Sequence, residues 1–353
     1  MRPRIKLFLT LSIIPQYLLL QFLRLHPDWI ENYYSRGLYT YLIAFQNRLF
    51  GSIPFSVGDL TYIIVVIWIL RWVLLKSWRS SLKHFIFNIG STAAVIFFVF
   101  HLMWGLNYHR LPLAQQLSLS TNYTTEQLIE VTNMFIQKSN NLQIEITKND
   151  SLPVHHNLNI EILSQDLNIG FDVLSRLHHN GVSVPPSTKV SLLSTPLTYM
   201  GFSGYLNPFT LESQVNNLLP SYTLASTIAH ERVHKMGYAA ENEANFLGIL
   251  ACHYSDQEIL QYSGAIMALR ICLNELYKVD QVQYHSCLEK INFGILMNYN
   301  ESSLFWNSYQ NPFEPLFKKS YNQYLKSNAQ NSGIKSYNEA VGLIVNFFRT
   351  LKQ

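Results

Sequence analysis

The residues best suited to chemistry in this 353-residue chain are His230-Glu231-Arg232-Val233-His234, followed closely by Glu241-Asn242-Glu243-Ala244-Asn245. Four residues close about one helical turn, so the two imidazoles share a face and can bind one Zn²⁺. Glu231 does not reach that ligand face. Its place is beside the water that the metal polarises, as general base and then proton carrier to a leaving amine. A third ligand must follow, and Glu241 and Glu243 are the nearest candidates. If a new helix starts after Gly237, Glu241 and Asn245 lie four apart on one face, and Asn245 can hydrogen-bond a histidine ligand. Glu243 then lies about 200° round the same helix. Glu241 is the preferred ligand, with Glu243 the alternative or a nearby acid. The chemistry implied is zinc-assisted hydrolysis of peptide bonds.

The surrounding residues say what holds these groups. Ile228, Ala229, Val233 and Met236 are apolar, which predicts a helix buried on at least one side rather than a solvated one. Pro220-Ser221 marks its start, and Gly237 can take the left-handed conformation that ends it. Further helices are predicted at about 241–254, 263–277 and 337–350. Upstream, Thr124 with Gln127 forms a capping box for a helix at about 125–139. Residues 140–158 are polar and predict a loop. Residues 160–177 are periodic, with Gly170 a weak point. His178 and His179 compensate a helix end rather than bind metal. Pro185-Pro186 breaks the pattern, residues 189–193 have strand character, and 200–204 reads as a turn. Residues 211–216 alternate as a half-buried strand, whose edge would suit an added peptide. The fold class expected is mainly α with a small β-sheet, an α+β zincin-like catalytic domain over residues 107–353.

Residues 1–106 differ in kind. The chain is 48% hydrophobic and only 14% charged, and the apolar excess concentrates here. Three membrane spans are predicted, at about 7–23, 57–75 and 85–106. The first reads as a retained anchor rather than a cleaved signal peptide, because bulky Gln21-Phe22-Leu23 follows where small residues would be needed. Arg2, Arg4 and Lys6, and then Lys76, Arg79 and Lys83, crowd the amino terminus and the second connection, which predicts both on the cytoplasmic side. The first connection spreads Arg24, Arg36 and Arg48 beside Asp28 and Glu31, and the catalytic domain is extracytoplasmic. The partners expected are the lipid bilayer and a peptide or protein substrate. A net charge of +4 is accounted for by these flanks and gives no reason to expect nucleic acid. Of three cysteines, Cys252 reads as a buried small hydrophobe, and Cys272 and Cys287 are left open to pairing.

The His-Glu-x-x-His motif with the following Glu-x-Glu-Ala-Asn resembles the gluzincin metallopeptidases, in particular the membrane families related to the CAAX prenyl protease and a stress-response protease of bacterial inner membranes. That resemblance implies Glu241 as a zinc ligand. Asn245 stands where those families carry Asp, and the spacing from His234 to Glu241 is much shorter than theirs. A resemblance over most of the chain is to an uncharacterised family of bacterial membrane proteins, a domain of unknown function with an HExxH motif. It rests on the three spans, Ser56-Val57-Gly58-Asp59-Leu60, Trp104-Gly105-Leu106-Asn107-Tyr108, Asn207-Pro208-Phe209-Thr210, residues 230–246 and Gly333-Ile334-Lys335-Ser336-Tyr337. It implies a membrane-anchored zinc peptidase in the inner membrane and brings no substrate. The rival function is a non-catalytic, zinc-binding, membrane-tethered scaffold, in which an intact Glu231 would have no purpose. Peptide hydrolysis also needs an oxyanion stabiliser; Tyr238, Tyr262 and Tyr337 are weak candidates among 21 tyrosines.

Overall fold

The apolar segments near the amino terminus fold as long helices, the first of which runs on through Pro15. In the computed structural model, which describes residues 3–75, 82–177, 188–330, 333 and 339–351, the chain forms two compact units. One is Met1–Leu111 with Asn207–Glu212; the other is Pro112–Leu206 with Ser213–Gln353. His178, His179, Pro185, Pro186 and Tyr337, and the basic residues Lys76 and Arg79, lie outside the described residues.

In the first unit, α1 (Pro3–Arg24) is followed by α2 (Pro27–Trp29), a π-helical stretch at Ile30–Leu38, α3 (Tyr39–Phe50), α4 (Val57–Leu74) and α5 (Leu82–Met103). Among the described residues, three helical segments are long and apolar enough to cross a membrane: Arg4–Arg24, Val57–Leu74 and Phe85–Met103. They mark a membrane protein. The third stops at Met103 rather than 106, because Trp104 leaves helical geometry at φ −153° and a 3₁₀ turn follows at Gly105–His109. The first connection is helical rather than an open loop. Its Glu31 is buried and takes a two-pronged contact from Arg110, with Nε and Nη2 both at 2.8 Å, plus Arg36 Nε at 2.8 Å. Those charges are fixed partners, not a free flank. At the start of α4, Ser56 accepts the Asp59 N–H at 2.9 Å. The Glu212 carboxylate accepts from Gly58 N–H at 2.6 Å and Val57 N–H at 3.2 Å. An anion at a helix N-terminus satisfies donors that have no partner within the helix.

The second unit opens with α6 (Leu113–Gln116), α7 (Thr125–Thr147) and α8 (Ile160–Leu177). The capping box of Thr124 and Gln127 is present. The helix it starts runs past Ser139 to Thr147, where a loop is expected from sequence. Buried Leu142 and Gln143 continue the inward stripe, and Gln143 Nε2 holds the next turn by donating to Asn149 O at 2.6 Å and Leu152 O at 2.7 Å. Next come β1 (Thr188–Val190), α9 (Ser194–Met200), β2 (Gly204–Leu206) and β3 (Ser213–Val215). The sheet order is β1-β3-β2, with β1 parallel and β2 antiparallel to β3. The strand expected at 211–216 is thus shorter, central and fully buried, and its edges are already paired. Leu211 sits at φ +51°, which cannot continue an extended strand.

Among the described residues the unit continues with α10 (Leu224–Lys235), α11 (Glu241–His253), α12 (Glu258–Val279), α13 (Gln281–Leu288), α14 (Phe293–Ser308), α15 (Glu314–Ser327) and α16 (Ala340–Thr350). The architecture is mainly α with a small β-sheet. Ile228, Ala229 and Val233 of α10 join Phe246, Ile249 and Leu250 of α11 in one buried core. Gly170 of α8 meets the α11 backbone so closely that a Cβ there would lie 1.9 Å from Ala251 O. All three cysteines are buried and free, so Cys272 and Cys287 do not pair.

One core contact gives a pH-dependent expectation. Lys138 Nζ donates to His253 Nδ1 at 2.6 Å, which requires an uncharged imidazole. Burial, then the Lys138 charge, pulls the His253 pKa down to about 4. Between the ordinary histidine pKa of about 6.5 and that value, the unfolded chain binds the extra proton and the folded one does not, so stability falls as pH drops through this window. The melting temperature of the wild type between pH 7 and 4.5 should fall more steeply than that of His253→Gln, by the equivalent of 1–3 kcal/mol as an order of magnitude. Parallel curves would show that His253 is not held neutral.

Candidate metal centre

α10 and α11 lie against each other, and the turn between them decides the geometry. Gly237 takes φ +86°, open to glycine at little cost. The reversal brings the Tyr238 carbonyl back to His234, whose Nδ1 donates to it at 2.8 Å. With Nδ1 turned to that carbonyl, Nε2 is the nitrogen that faces the site. His230 Nε2 and His234 Nε2 lie 3.2 and 3.4 Å from the same Glu241 atom, Oε2. Ligand atoms from His230, His234 and Glu241 all fall within 4.8 Å of one another, and all three residues are buried. Two ligands about 2.05 Å from a tetrahedral zinc are about 3.3 Å apart, so this donor set fits such an ion. Burial pushes the Glu241 carboxyl up, but the two imidazoles outweigh it and hold the pKa well below the usual range. On His234, burial opposes the charge, while Glu241 overrides it and raises the pKa to about 9.

Glu231 does not join the ligands. It is 5% exposed, and its Oε2 is a buried carboxylate oxygen with no hydrogen-bond partner. Burial raises its pKa, opposed by His230 and His234. Its other oxygen faces Gly204, the first residue of β2: a Cβ there would stand 2.9 Å from Glu231 Oε1 and 2.6 Å from Gln214 O. Only a glycine lets the edge strand approach this carboxylate so closely.

The family described as protein of unknown function (DUF3810) matches residues 34–345. The chain belongs to that family. No curated protein and no solved structure matches it. The DUF3810 description assigns neither activity nor metal, so the chemistry of the site rests on its residues.

Within this DUF3810 chain, Glu243 is engaged elsewhere: its Oε1 accepts the Leu113 N–H at 2.6 Å, at the start of α6. It lies on a different side of α11 from Glu241, as the helical angle predicts. Asn245 is buried one turn beyond Glu241. Arg232, between the histidines, points away from them into α8. Its Nη1 donates to Ser164 O at 2.7 Å, its Nη2 to Asn168 Oδ1 at 2.9 Å, and its guanidinium lies 4.2 Å from the Phe171 ring centre. A buried arginine fork of this kind fixes the rotation of α10, and with it the direction of both imidazoles. Of the tyrosines weighed as oxyanion stabilisers, Tyr262 is fully buried and donates to Asn298 Oδ1 at 2.8 Å, and Tyr238 meets the site through its carbonyl. A tyrosine hydroxyl that meets the ligand set is that of Tyr321 in α15, which donates to Glu241 Oε1 at 2.7 Å. Eighty residues separate the two, and nothing in the spacing of 21 tyrosines marks this one.

Proposed function

We propose that this protein is a membrane-anchored, zincin-like zinc metallopeptidase. The observation that carries the reading is Glu231, a buried carboxylate with an unpartnered oxygen beside a His-His-Glu ligand set. Leaving such an oxygen unsatisfied costs stability, and a purely structural metal site gains nothing from it.

His230, His234 and Glu241 would hold the ion. Bound zinc supplies Lewis-acid chemistry, lowering the pKa of water and polarising a carbonyl. Glu231 accepts the proton from the attacking water and delivers it to the amine nitrogen as the C–N bond breaks, so the elements of water are divided between the two products. A carboxylate whose pKa is raised by burial is suited to both halves of that transfer. The peptide is placed along β2. Among the described residues that strand is the sheet edge beside Glu231, the side on which an extended chain would lie. The amino terminus is cytoplasmic and the peptidase unit extracytoplasmic, a reading supported by the basic residues at positions 2, 4 and 6.

The test is metal content by mass spectrometry on full-length, detergent-purified protein, followed by a peptide-library cleavage screen. The expected result is about one zinc per chain in the wild type, little in His234→Ala, and cleavage products from the wild type alone. A folded wild type that binds no zinc after chelator-free purification would overturn the reading. Stoichiometric zinc without cleavage of any peptide would leave a zinc-binding tethered scaffold.

A further inference from the structure

We infer that Tyr321, with Gln330, is a positioning device for the third metal ligand, and that Tyr321 holds Glu241 to one-oxygen ligation; this rests on the zinc reading above. The two oxygens of Glu241 face different partners. Oε2 faces both imidazoles at 3.2 and 3.4 Å, while Oε1 accepts the Tyr321 hydroxyl at 2.7 Å. A carboxylate with both oxygens free can close on an ion with either or both of them. One whose second oxygen is already hydrogen-bonded offers a single atom and keeps a coordination position open for substrate or water.

The hydroxyl is held in place from both sides. The Tyr321 ring stands edge-on to Phe202, with centres 5.1 Å apart and planes at 76°, and stacks on Tyr324 at 6.0 Å and 20°. Phe202 lies in the turn opened by Gly201 at φ +81°, two residues before β2 begins. Ahead of α15, Asn311 Nδ2 donates to Tyr199 O at 2.7 Å. Beyond α15, Gln330 Nε2 donates to Ala239 O, also at 2.7 Å. Ala239 lies two residues before Glu241. Segment 311–330 is therefore fastened to α9 at one end and to the α10–α11 turn at the other. In between it reaches the ligand itself. The same tyrosine touches both the lead-in to the edge strand and the metal ligand, so it connects the proposed peptide track to the coordination sphere.

Cobalt(II) in place of zinc reads this directly, because its visible bands weaken when coordination rises from four to five. Full-length wild type, Tyr321→Phe and Gln330→Ala would be titrated with Co²⁺, and zinc affinity measured by chelator competition. Tyr321→Phe removes one oxygen atom and should weaken zinc binding about 10–100-fold. Its cobalt bands should lose intensity as Oε1 becomes free to ligate. Gln330→Ala should weaken affinity while leaving the bands in place, since the carboxylate keeps its tyrosine. Wild type that takes up neither metal overturns the zinc reading itself. Metal-binding wild type with Tyr321→Phe unchanged in affinity and spectrum overturns only the positioning role. If Tyr321→Phe does not fold, Gln330→Ala decides, and unchanged affinity there sinks the pinned-loop arrangement.

Discussion

Glu231→Gln is expected to retain about one zinc per chain and to lose peptide hydrolysis by roughly 10²–10⁴-fold, the range over which a positioned general base acts. The two halves of that result have separate causes. Glutamine has nearly the same volume, and Glu231 is not one of the three residues, His230, His234 and Glu241, whose atoms could hold the metal. Metal affinity is therefore preserved. The amide cannot take a proton from water, so only the contribution of the base is removed. The Glu231 oxygen buried without a partner becomes an amide group in the same pocket, so stability should change little. Zinc content by mass spectrometry and initial cleavage rates on one preparation measure both halves. A variant that still hydrolyses at the wild-type rate would remove Glu231 from the mechanism. One that loses its zinc would place Glu231 among the groups holding the ligands.

Gly170→Ala is the largest stability effect expected from a single methyl group. In a helix interior this substitution normally stabilises by about 0.5–1 kcal/mol, because alanine loses less backbone entropy on folding. Here the added Cβ would lie 1.9 Å from the Ala251 carbonyl oxygen. Backbone faces backbone, and neither can rotate away. α8 and α11 must separate, and the Arg232 clamp on Ser164 and Asn168 is strained with them. Overpacking on this scale costs about 3 kcal/mol, which outweighs the entropy gain and reverses the sign. For a unit of this size the melting temperature should fall by roughly 6–12 °C. Because α11 carries Glu241, zinc affinity should fall in the same variant. A melting temperature equal to or above that of the wild type would mean that the two helices do not meet at this glycine.

Much of the site was legible because its geometry is local. His230 and His234 share a helical face by spacing alone, Gly237 ends the helix with the positive φ its position suggested, and Glu241 sits where a new helix after that turn would put it. The Thr124–Gln127 box was legible for the same reason. The rest depends on distant residues. Leu211–Asn216 alternates as a half-buried strand does, but its burial is set by β1 and β2 on either side and by the left-handed Leu211 that shortens it. Gly170 reads as a weakness from propensity and serves as a close-packing point because of Ala251. Helix α7 outlasts its polar composition because Gln143, a poor signal on a hydropathy plot, turns inward to satisfy Asn149 and Leu152. Tyr321 could not have been chosen among 21 tyrosines without the fold that carries α15 to Glu241.

Cutting the chain at residue 112 to obtain the second unit alone severs more than a tether. Asn207–Glu212, the tip between β2 and β3, folds with the membrane-spanning unit: Glu212 takes the N–H groups of Val57 and Gly58, and Phe209 O takes Gln46 Nε2 at 2.9 Å. A truncated protein keeps the tip and discards its partners, leaving a loop of orphaned polar groups next to β2. The register offers a remedy, since Asn207 N–H donates to Glu212 O at 2.9 Å and theirs is the hydrogen-bonded position beyond Leu206 and Ser213. Two residues can close an antiparallel pair at that point, and Asn-Gly supplies the backbone angles the short turn demands. Grafting that dipeptide in place of residues 208–211 would give the excised half a hairpin that depends less on the bilayer-spanning part.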